Sequence, residues 1–223
     1  QYHPDKSYIV TAEEQRDYFK GVTAAAGLCY PELKDVTVNI PTGMVKLSTG
    51  KMSSRDGGVV TIAWLFDQVK EAILARGGEA TEEIVAGALR YAFLKVTIGN
   101  DIIFDINESV SIQGNSGPYL QYAHARACRI LEKSGKTVFD SPISTLDSGE
   151  RTLVVKLGEY AEVVEKATGE LLPHYICTYL YELAQEFNRF YEHNKVIGSE
   201  RETERLALVG QYKTTLGDYF SIL

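Results

Sequence analysis

The sequence predicts an α/β segment up to about residue 112 and an all-α helical bundle after it. In the first part, short runs of alternating apolar residues such as 36–40 are interleaved with stretches of helical period. From Ser116 onward, apolar residues recur every three or four positions, which is typical of amphipathic helices that pack on one another. We therefore expect two domains, 1–112 and 113–223.

The first domain is expected to alternate strands with helices. Thr81 is a predicted N-cap, because Glu82 and Glu83 follow it and favour the positive end of a helix. Gly27 is a predicted helix stop, and so is the run Arg76-Gly77-Gly78. The predicted elements are a strand at 7–10, a helix at 13–26, a strand at 36–40, a helix from residue 62, a helix from Thr81 to about 95, and an extended stretch at 102–105.

The second domain is expected to contain helices only. Ser116 is a predicted N-cap, and Pro118 lies in the first turn, where its missing N–H costs nothing. Pro173 is predicted to start a later helix in the same way. The predicted elements are a helix from Ser116 to about 133, a loop at 140–149, a helix at 151–167, a helix after Pro173, and a last helix at 201–223.

The net charge of −7 argues against a chain that binds nucleic acid with its whole surface. A local basic face is still compatible with it, and RNA binding there is expected to be confined and sensitive to salt. The apolar runs are too short to span a bilayer, and residues 1–5 do not begin a signal peptide. We expect no membrane partner.

The three cysteines, Cys29, Cys128 and Cys177, lie far apart in the chain and outside any zinc-type spacing. The sequence therefore predicts no structural metal. Reduced thiols in a cytoplasmic protein are the simplest interpretation, and each cysteine is expected to be a small core residue.

The most distinctive segment is the run 50–58, which reads GKMSSRDGG. It is too polar for a strand and too rich in glycine for a helix. Lysine supplies a point charge, serines supply short donors, and glycines allow backbone N–H groups to approach a ligand. This composition predicts a loop that closes on a polyphosphate, although a surface turn of similar composition remains the alternative.

Three segments resemble one family. Residues 43–55 resemble the signature loop of class I aminoacyl-tRNA synthetases in the form carried by arginyl-tRNA synthetases. Residues 114–126 resemble the entry to the anticodon-binding domain of that family, and residues 180–191 resemble a later helix of the same domain. The resemblance implies an α/β remnant of a Rossmann-like class I catalytic core followed by an all-α anticodon-binding helical bundle.

By the same resemblance, the parent is an arginine–tRNA ligase that forms an arginyl-adenylate from ATP with Mg²⁺. Its partners are arginine and the arginine-acceptor tRNA, and it is expected to be monomeric. No HIGH-like string occurs in the sequence. The chain is therefore expected to be the C-terminal portion of the enzyme and not to aminoacylate alone.

The resemblance assigns catalytic roles to Lys51, Ser53 and Ser54, with Lys51 countering the charge that develops on pyrophosphate. Many class I enzymes have a second lysine where this chain has Ser54, so Arg55 and Lys46 are alternative sources of that charge. An amide at residue 15 can meet adenosine or amino-acid groups without adding charge, although a solvated first turn of a helix is an equal alternative. The residues expected to bind ATP or substrate are Gln15, Lys46, Met52 and Arg55.

The helix from Ser116 carries aromatic and cationic residues on one face at helical spacing. Aromatic rings can stack on unpaired bases while arginines contact phosphates or base edges. The alternative is that the tyrosines are half-buried and the cations merely solvated. The residues expected to bind tRNA are Asn115, Tyr119, Gln121, Tyr122, Arg126, Arg129, Lys133, Asn188 and Arg189.

Three other functions remain open from the sequence. The chain can be a stand-alone tRNA-binding module with a vestigial loop. It can belong to a class I synthetase of another specificity such as cysteine, although the zinc-type cysteines are absent. It can also be a helical bundle without ligands, which leaves the loop at Lys51 unexplained.

Overall fold

The computed structural model describes residues 4–48, 61–136 and 145–220. The chain divides into two compact units. The first, here called the β unit, contains Gln1–Gly58 and Val96–Phe104. The second, here called the helical unit, contains Val59–Lys95 and Asp105–Leu223. These units are defined by how the chain packs, whereas the predicted boundary at residue 112 separates a catalytic-core segment from an anticodon-binding domain. That boundary stays a prediction.

The β unit is built on parallel strand pairs. Strand β1 (Ser7–Ala12) pairs in parallel with β2 (Thr37–Thr42), and helix α1 (Arg16–Cys29) connects the two. Strand β3 (Val45–Leu47) pairs in parallel with β4 (Ile102–Phe104). The first pair with its helix is therefore a β-α-β arrangement, as expected from the alternation of the two patterns.

Helix α1 differs from the prediction at both ends. Residues 13–15 form a separate 3₁₀ turn, and the helix continues past Gly27 to Cys29. The stop comes from the next proline: Tyr30 precedes Pro31 and leaves the helical region with φ −135° and ψ 85°. A single glycine costs a helix only about 1 kcal/mol, which is too little to end it.

One face of the β1–β2 sheet is open to solvent. Along β1 the exposed residues alternate with half-buried ones, and Tyr8 and Val10 are 53% and 66% exposed. Ile9 points to the other face, where it lines a cleft with residues of α1. An apolar face of this kind is typical of a sheet that is covered in a larger protein.

The helical unit consists of helices, several of which begin at a side-chain cap. Thr81 and Ser116 each accept a hydrogen bond from the backbone N–H three residues on, which confirms both predicted caps. Gly135 ends the long helix after Ser116 with φ +65°. The helices are α2 (Ile62–Ala75), α3 (Glu82–Leu94), α4 (Ile106–Ser109), α5 (Gly117–Ser134), α6 (Ser148–Gly158), α7 (Tyr160–Glu170), α8 (His174–His193) and α9 (Glu202–Phe220).

The core of this unit lies between α5, α8 and α9. The rings of Phe187 on α8 and Tyr212 on α9 stack with centroids 3.8 Å apart and planes 4° apart. Leu120, Leu180 and Leu216 are fully buried around them. Each such side chain contributes about 1.5–3 kcal/mol when removed from water, so this cluster fixes how the three helices pack.

Two helices of this unit approach each other closely. A Cβ placed on Gly117 of α5 would lie 2.6 Å from the backbone carbonyl oxygen of Gly87 on α3. The pair of glycines therefore allows α3 to pack directly against the first turn of α5.

The segment before α8 differs from the prediction. Residues 148 and 149, predicted as loop, belong to α6, because Asp147 caps that helix and Glu150 completes a capping box. Residues 151–167, predicted as one helix, are divided between α6 and α7. Glu159 stays in the helical region at this junction, with φ −70° and ψ −11°, so the apolar spacing continues across the break. Helix α4 was not predicted.

The sequence predicts that all three cysteines are core residues, and this prediction is wrong for two of them. Cys177 is buried, and burial raises the pKa of its thiol to about 12. Cys128 is half-buried, and Cys29 at the end of α1 is exposed.

None of the helices in the described ranges 4–48, 61–136 and 145–220 combines the length and apolar character of a membrane span.

Candidate functional site

A groove of about 830 Å³ lies in the helical unit between α5 and the end of α8. One wall is the outer face of α5. The other wall is the last turn of α8 and the segment that follows it. The lining residues are Tyr122, Ala125, Arg126, Arg129, Ile130, Lys133 and residues 191–197. We call this the α5–α8 groove.

The sequence of α5 explains why its cations face this groove. Residues 122, 126, 129 and 133 follow one another at helical spacing and share one face. The opposite face carries Leu120, Ala123 and Ala127, all of which are buried in the core. Burial of the apolar face therefore turns the polar one outward. The structure brings four of the predicted tRNA contacts into one groove.

A hydrogen-bond network fixes the guanidinium of Arg126. Its NH1 donates to Oδ1 of Asn188 at 2.8 Å, and its NH2 donates to the hydroxyl of Tyr122 at 3.1 Å. Nδ2 of Asn188 in turn donates to the hydroxyl of Tyr119 at 2.9 Å. Two of these bonds cross from α5 to α8, so the network ties the two walls together.

Aromatic rings flank the same guanidinium. The central carbon of the Arg126 guanidinium lies 5.0 Å from the ring centre of Tyr122 and 5.9 Å from that of Tyr191. Both tyrosines are about two-fifths exposed. Tyr191 also stacks on the buried Phe187, and this contact holds its ring in place.

Tyr119 supports the network from below. Its ring packs edge-on against Tyr181, with centroids 5.6 Å apart. Burial raises the pKa of the Tyr119 hydroxyl, and the hydrogen bond from Asn188 opposes that rise only in part. The hydroxyl is therefore neutral at physiological pH. The Tyr119 ring is half-buried against the core and its hydroxyl accepts the hydrogen bond from Asn188, while its predicted contact with tRNA stays a prediction.

The remaining cations of α5 are exposed at the mouth of the groove. Within the described parts of the chain, no ion pair involves Arg129 or Lys133. Lys195 lies on the opposite wall, and Glu192 is the acidic residue among those that line the groove. This is a local basic face on a chain of net charge −7.

The second wall is a turn that was not singled out in the sequence. Asn194 ends α8, and its side-chain amide donates to the carbonyl oxygen of Phe190 at 2.9 Å. Gly198 has φ +71°, and Arg205 donates to the carbonyl oxygen of Lys195 at 2.8 Å. The sequence shows Lys195 as a cation shortly after the segment 180–191 that resembles the family. Its position opposite α5 depends on tertiary packing, which no local pattern reveals.

Arg189 lies apart from the α5–α8 groove. It forms an ion pair with Glu186 at 2.6 Å and lines a second groove of about 680 Å³ between α6 and α8. His193 and Asn194 line both grooves, so the two are neighbours on the surface of the unit. Asn188 bonds Arg126, which lines the α5–α8 groove, whereas its neighbour Arg189 lines the second groove.

Two other predicted contacts lie on the far side of α5. Oδ1 of Asn115 accepts a hydrogen bond from the Tyr91 hydroxyl at 2.5 Å, and its carbonyl oxygen accepts one from Lys95 at 3.0 Å. Gln121 lines a cleft between α5 and α3, beside Gly87. The bonds of Asn115 hold the start of α5 against α3, and neither residue reaches the α5–α8 groove.

Comparison with known proteins decides the family. Residues 120–223 match the DALR anticodon binding domain. An arginine–tRNA ligase of Limosilactobacillus fermentum is 33% identical over all of the chain and 42% of its own length. One of Methanoregula boonei is 35% identical over 80% of the chain and 34% of its own length. The chain belongs to the arginyl-tRNA synthetase family.

A solved arginyl-tRNA synthetase, that of Thermus thermophilus, has the same fold over 95% of the chain, with a TM-score of 0.80 and 27% identity. The match covers 39% of that protein. The chain thus spans about two-fifths of the length of the curated relatives it matches, and it corresponds to their C-terminal portion. The predicted membership is confirmed, and so is a mostly helical fold with small parallel sheets.

The residues that resemble the signature loop of arginyl-tRNA synthetases lie mostly outside the described part of the chain. Residues 49–60 lie outside it, so the roles predicted for Lys51, Met52, Ser53, Ser54 and Arg55 stay predictions.

Two predicted ligands of ATP or substrate lie in the described part of the β unit. Lys46 on β3 forms an ion pair with Asp101, and this contact and the Met44 amide lower the pKa of the Asp101 carboxyl. Gln15 ends the 3₁₀ turn before α1 and is exposed. In the described ranges, no cluster of three or more histidine, cysteine, aspartate or glutamate side chains could hold a metal ion.

Proposed function

We propose that the chain is the C-terminal portion of an arginine–tRNA ligase and that its helical unit binds the anticodon stem-loop in the α5–α8 groove. The observation that carries this proposal is the convergence of Tyr122, Arg126, Arg129 and Lys133 on one groove within the segment that matches an anticodon-binding family. The parent enzyme joins arginine to its tRNA through an arginyl-adenylate, as a monomer in the cytoplasm.

The cations at the mouth of the groove supply the attraction for the RNA backbone. Arg129 and Lys133 are exposed on α5, and Lys195 faces them from the other wall. Each contact with a phosphate releases a counterion, so binding weakens as the salt concentration rises. Because the chain as a whole is acidic, this attraction is limited to the groove and positions one segment of the RNA.

The aromatic residues that line the groove provide surfaces for bases. Tyr122 and Tyr191 are exposed on either side of the Arg126 guanidinium. Anticodon bases are unpaired, and such bases stack on aromatic rings while their edges form hydrogen bonds. Asn188 holds the guanidinium in place before the RNA arrives, which lowers the entropy lost on binding.

We further propose that the β unit is a remnant of a Rossmann-like class I core. Support comes from the β1–α1–β2 connection, in which both strands are parallel and joined through a helix. The exposed apolar residues Tyr8 and Val10 on β1 indicate that another element, such as a helix, covers this face of the sheet in the parent enzyme. The longer curated relatives contain the additional chain that such a core requires.

In the proposed enzyme, ATP binds with Mg²⁺ as substrate, and the α-phosphate accepts the carboxylate of arginine. Negative charge then develops on pyrophosphate as it leaves, and Lys51 counters it in the transition state. Lys46 and Arg55 are the two alternative sources of the second positive charge, and the charge of Lys46 is already paired with Asp101. This favours Arg55 as the residue that replaces the second lysine of other class I loops.

A mobility-shift titration with arginine tRNA tests the proposed groove. We compare Arg129→Ala with Lys166→Ala, a variant of an exposed cation on α7 that lies over the ring of Tyr175 and outside both grooves. Arg129→Ala is expected to weaken binding by about three- to tenfold and to lower the salt dependence by about one ion. Equal affinities of the two variants would contradict the assignment of the groove.

A further inference from the structure

A buried ionic cluster lies beneath the turn that forms the second wall of the α5–α8 groove. The carboxylate of Glu150 on α6 is fully buried, with Oε2 2.6 Å from NH1 of Arg201 and Oε1 2.8 Å from Nε of Arg205. Asp147 adds a second carboxylate, 3.1 Å from NH2 of Arg205. A buried charge is costly unless it is paired, so the arginines are held firmly in these positions.

Arg205 differs from the other members of the cluster in one contact. Its NH1 donates to the carbonyl oxygen of Lys195 at 2.8 Å. One guanidinium thus bonds the buried carboxylate of Glu150, the cap residue Asp147 and the backbone of the turn. Arg201 shares Glu150, but its backbone contact is with Thr145, which lies outside the groove.

We propose that Arg205 is a positioning residue for RNA binding, which holds the Lys195–Ile197 wall at its distance from α5 without touching the RNA. This inference rests on the function proposed for the groove. Lys195, Val196 and Ile197 line the groove, whereas Arg205 does not. The carbonyl of Lys195 is the point at which the cluster and the wall meet.

The geometry explains why this position requires arginine. A planar guanidinium presents several N–H groups in fixed directions and can bond three acceptors from different elements at once. A lysine ammonium keeps the charge beside Glu150, but it cannot reach all three acceptors with the same geometry. Arg205→Lys therefore releases the turn while leaving the buried carboxylate paired, and Arg201→Lys is the matched change that leaves the turn bonded.

The test measures the affinity of the full chain for arginine tRNA in the wild type, Arg205→Lys and Arg201→Lys. Thermal unfolding of each variant is recorded alongside. We expect Arg205→Lys to bind about three- to tenfold more weakly and Arg201→Lys to bind like the wild type, with similar losses of thermal stability. Equal affinities for the two variants would overturn the inference and leave the proposed function intact.

A second comparison separates positioning from general loosening of the fold. In a Lys195→Ala background, the loss caused by Arg205→Lys is expected to shrink, because the wall then carries less of the binding. A full and additive loss in both backgrounds would contradict an action through this wall. If the wild-type chain does not bind arginine tRNA at all, the proposed function fails, and this inference fails with it.

Discussion

The amide of Asn188 on α8 bonds Arg126 on α5 at 2.8 Å through its oxygen, while its nitrogen bonds Tyr119 at 2.9 Å. One side chain therefore fixes both a cation of the groove and the tyrosine that lies beneath it. An alanine at this position would remove both bonds while leaving the core of the unit unchanged.

Asn188→Ala is expected to weaken binding of arginine tRNA by about three- to tenfold, because Arg126 loses the charge-assisted hydrogen bond that fixes its orientation. Thr178→Ala, a change at an exposed site on the same helix, is the control. A binding titration checks this. Wild-type affinity in Asn188→Ala would show that the network has no part in recognition.

Asp147 makes the stability of the helical unit depend on pH. Burial alone would raise the pKa of this carboxyl, but the Glu150 amide and Arg205 outweigh that effect and hold it below its usual value. A carboxyl with a lowered folded pKa stabilises the protein above its unfolded pKa, and this contribution is lost as the pH falls through the folded value.

Asp147→Asn retains the helix cap and removes the charge. The wild type is therefore expected to be more stable than this variant at neutral pH, with the difference fading below about pH 4. Urea unfolding at a series of pH values measures it. A difference that stays constant down to acid pH would mean that the charge of Asp147 contributes nothing.

The two glycines at the contact of α3 and α5 are expected to respond differently to a methyl group. Gly117→Ala should destabilise the protein by about 1–3 kcal/mol, because the new Cβ meets the rigid backbone of Gly87. Gly87→Ala meets only the end of the Gln121 side chain, which can move, and gains about 1 kcal/mol of helix propensity. Equal effects in thermal unfolding would contradict this packing.

Lys51→Ala in the parent enzyme is expected to lower kcat for ATP–pyrophosphate exchange and to leave KM for arginine nearly unchanged. The reason is that its charge acts on the leaving pyrophosphate and not on bound arginine. Lys34→Ala, which removes an exposed cation elsewhere in the β unit, is the control. An unchanged kcat would remove Lys51 from the mechanism.

Local chemistry explains which parts of the fold could be predicted. Thr81 and Ser116 were predicted as caps because a hydroxyl that bonds an N–H three residues on needs no tertiary contact. The end of α1 and the break at Glu159 were missed, because a glycine is a weak stop and the helical backbone persists across the break. Strands at 7–10 and 36–40 were predicted, but their parallel pairing depends on long-range contacts that a strand pattern does not specify.

The site was predicted in part for the same reason. The spacing along α5 placed Tyr122, Arg126, Arg129 and Lys133 on one face, and the structure gathers them in one groove. The wall at Lys195 and its anchor Arg205 come from segments whose approach depends on a buried cluster that no local pattern reveals. Asn115 belongs to the contact between α3 and α5 instead of the groove.

The most direct test of the central claim is a mobility-shift titration of the wild-type chain with arginine tRNA, the same tRNA with a changed anticodon, and an unrelated tRNA, each at low and moderate salt. We predict that arginine tRNA binds most tightly and that its advantage persists at moderate salt, because the groove reads bases as well as phosphates. Equal binding of all three that disappears with salt would contradict an anticodon-reading groove.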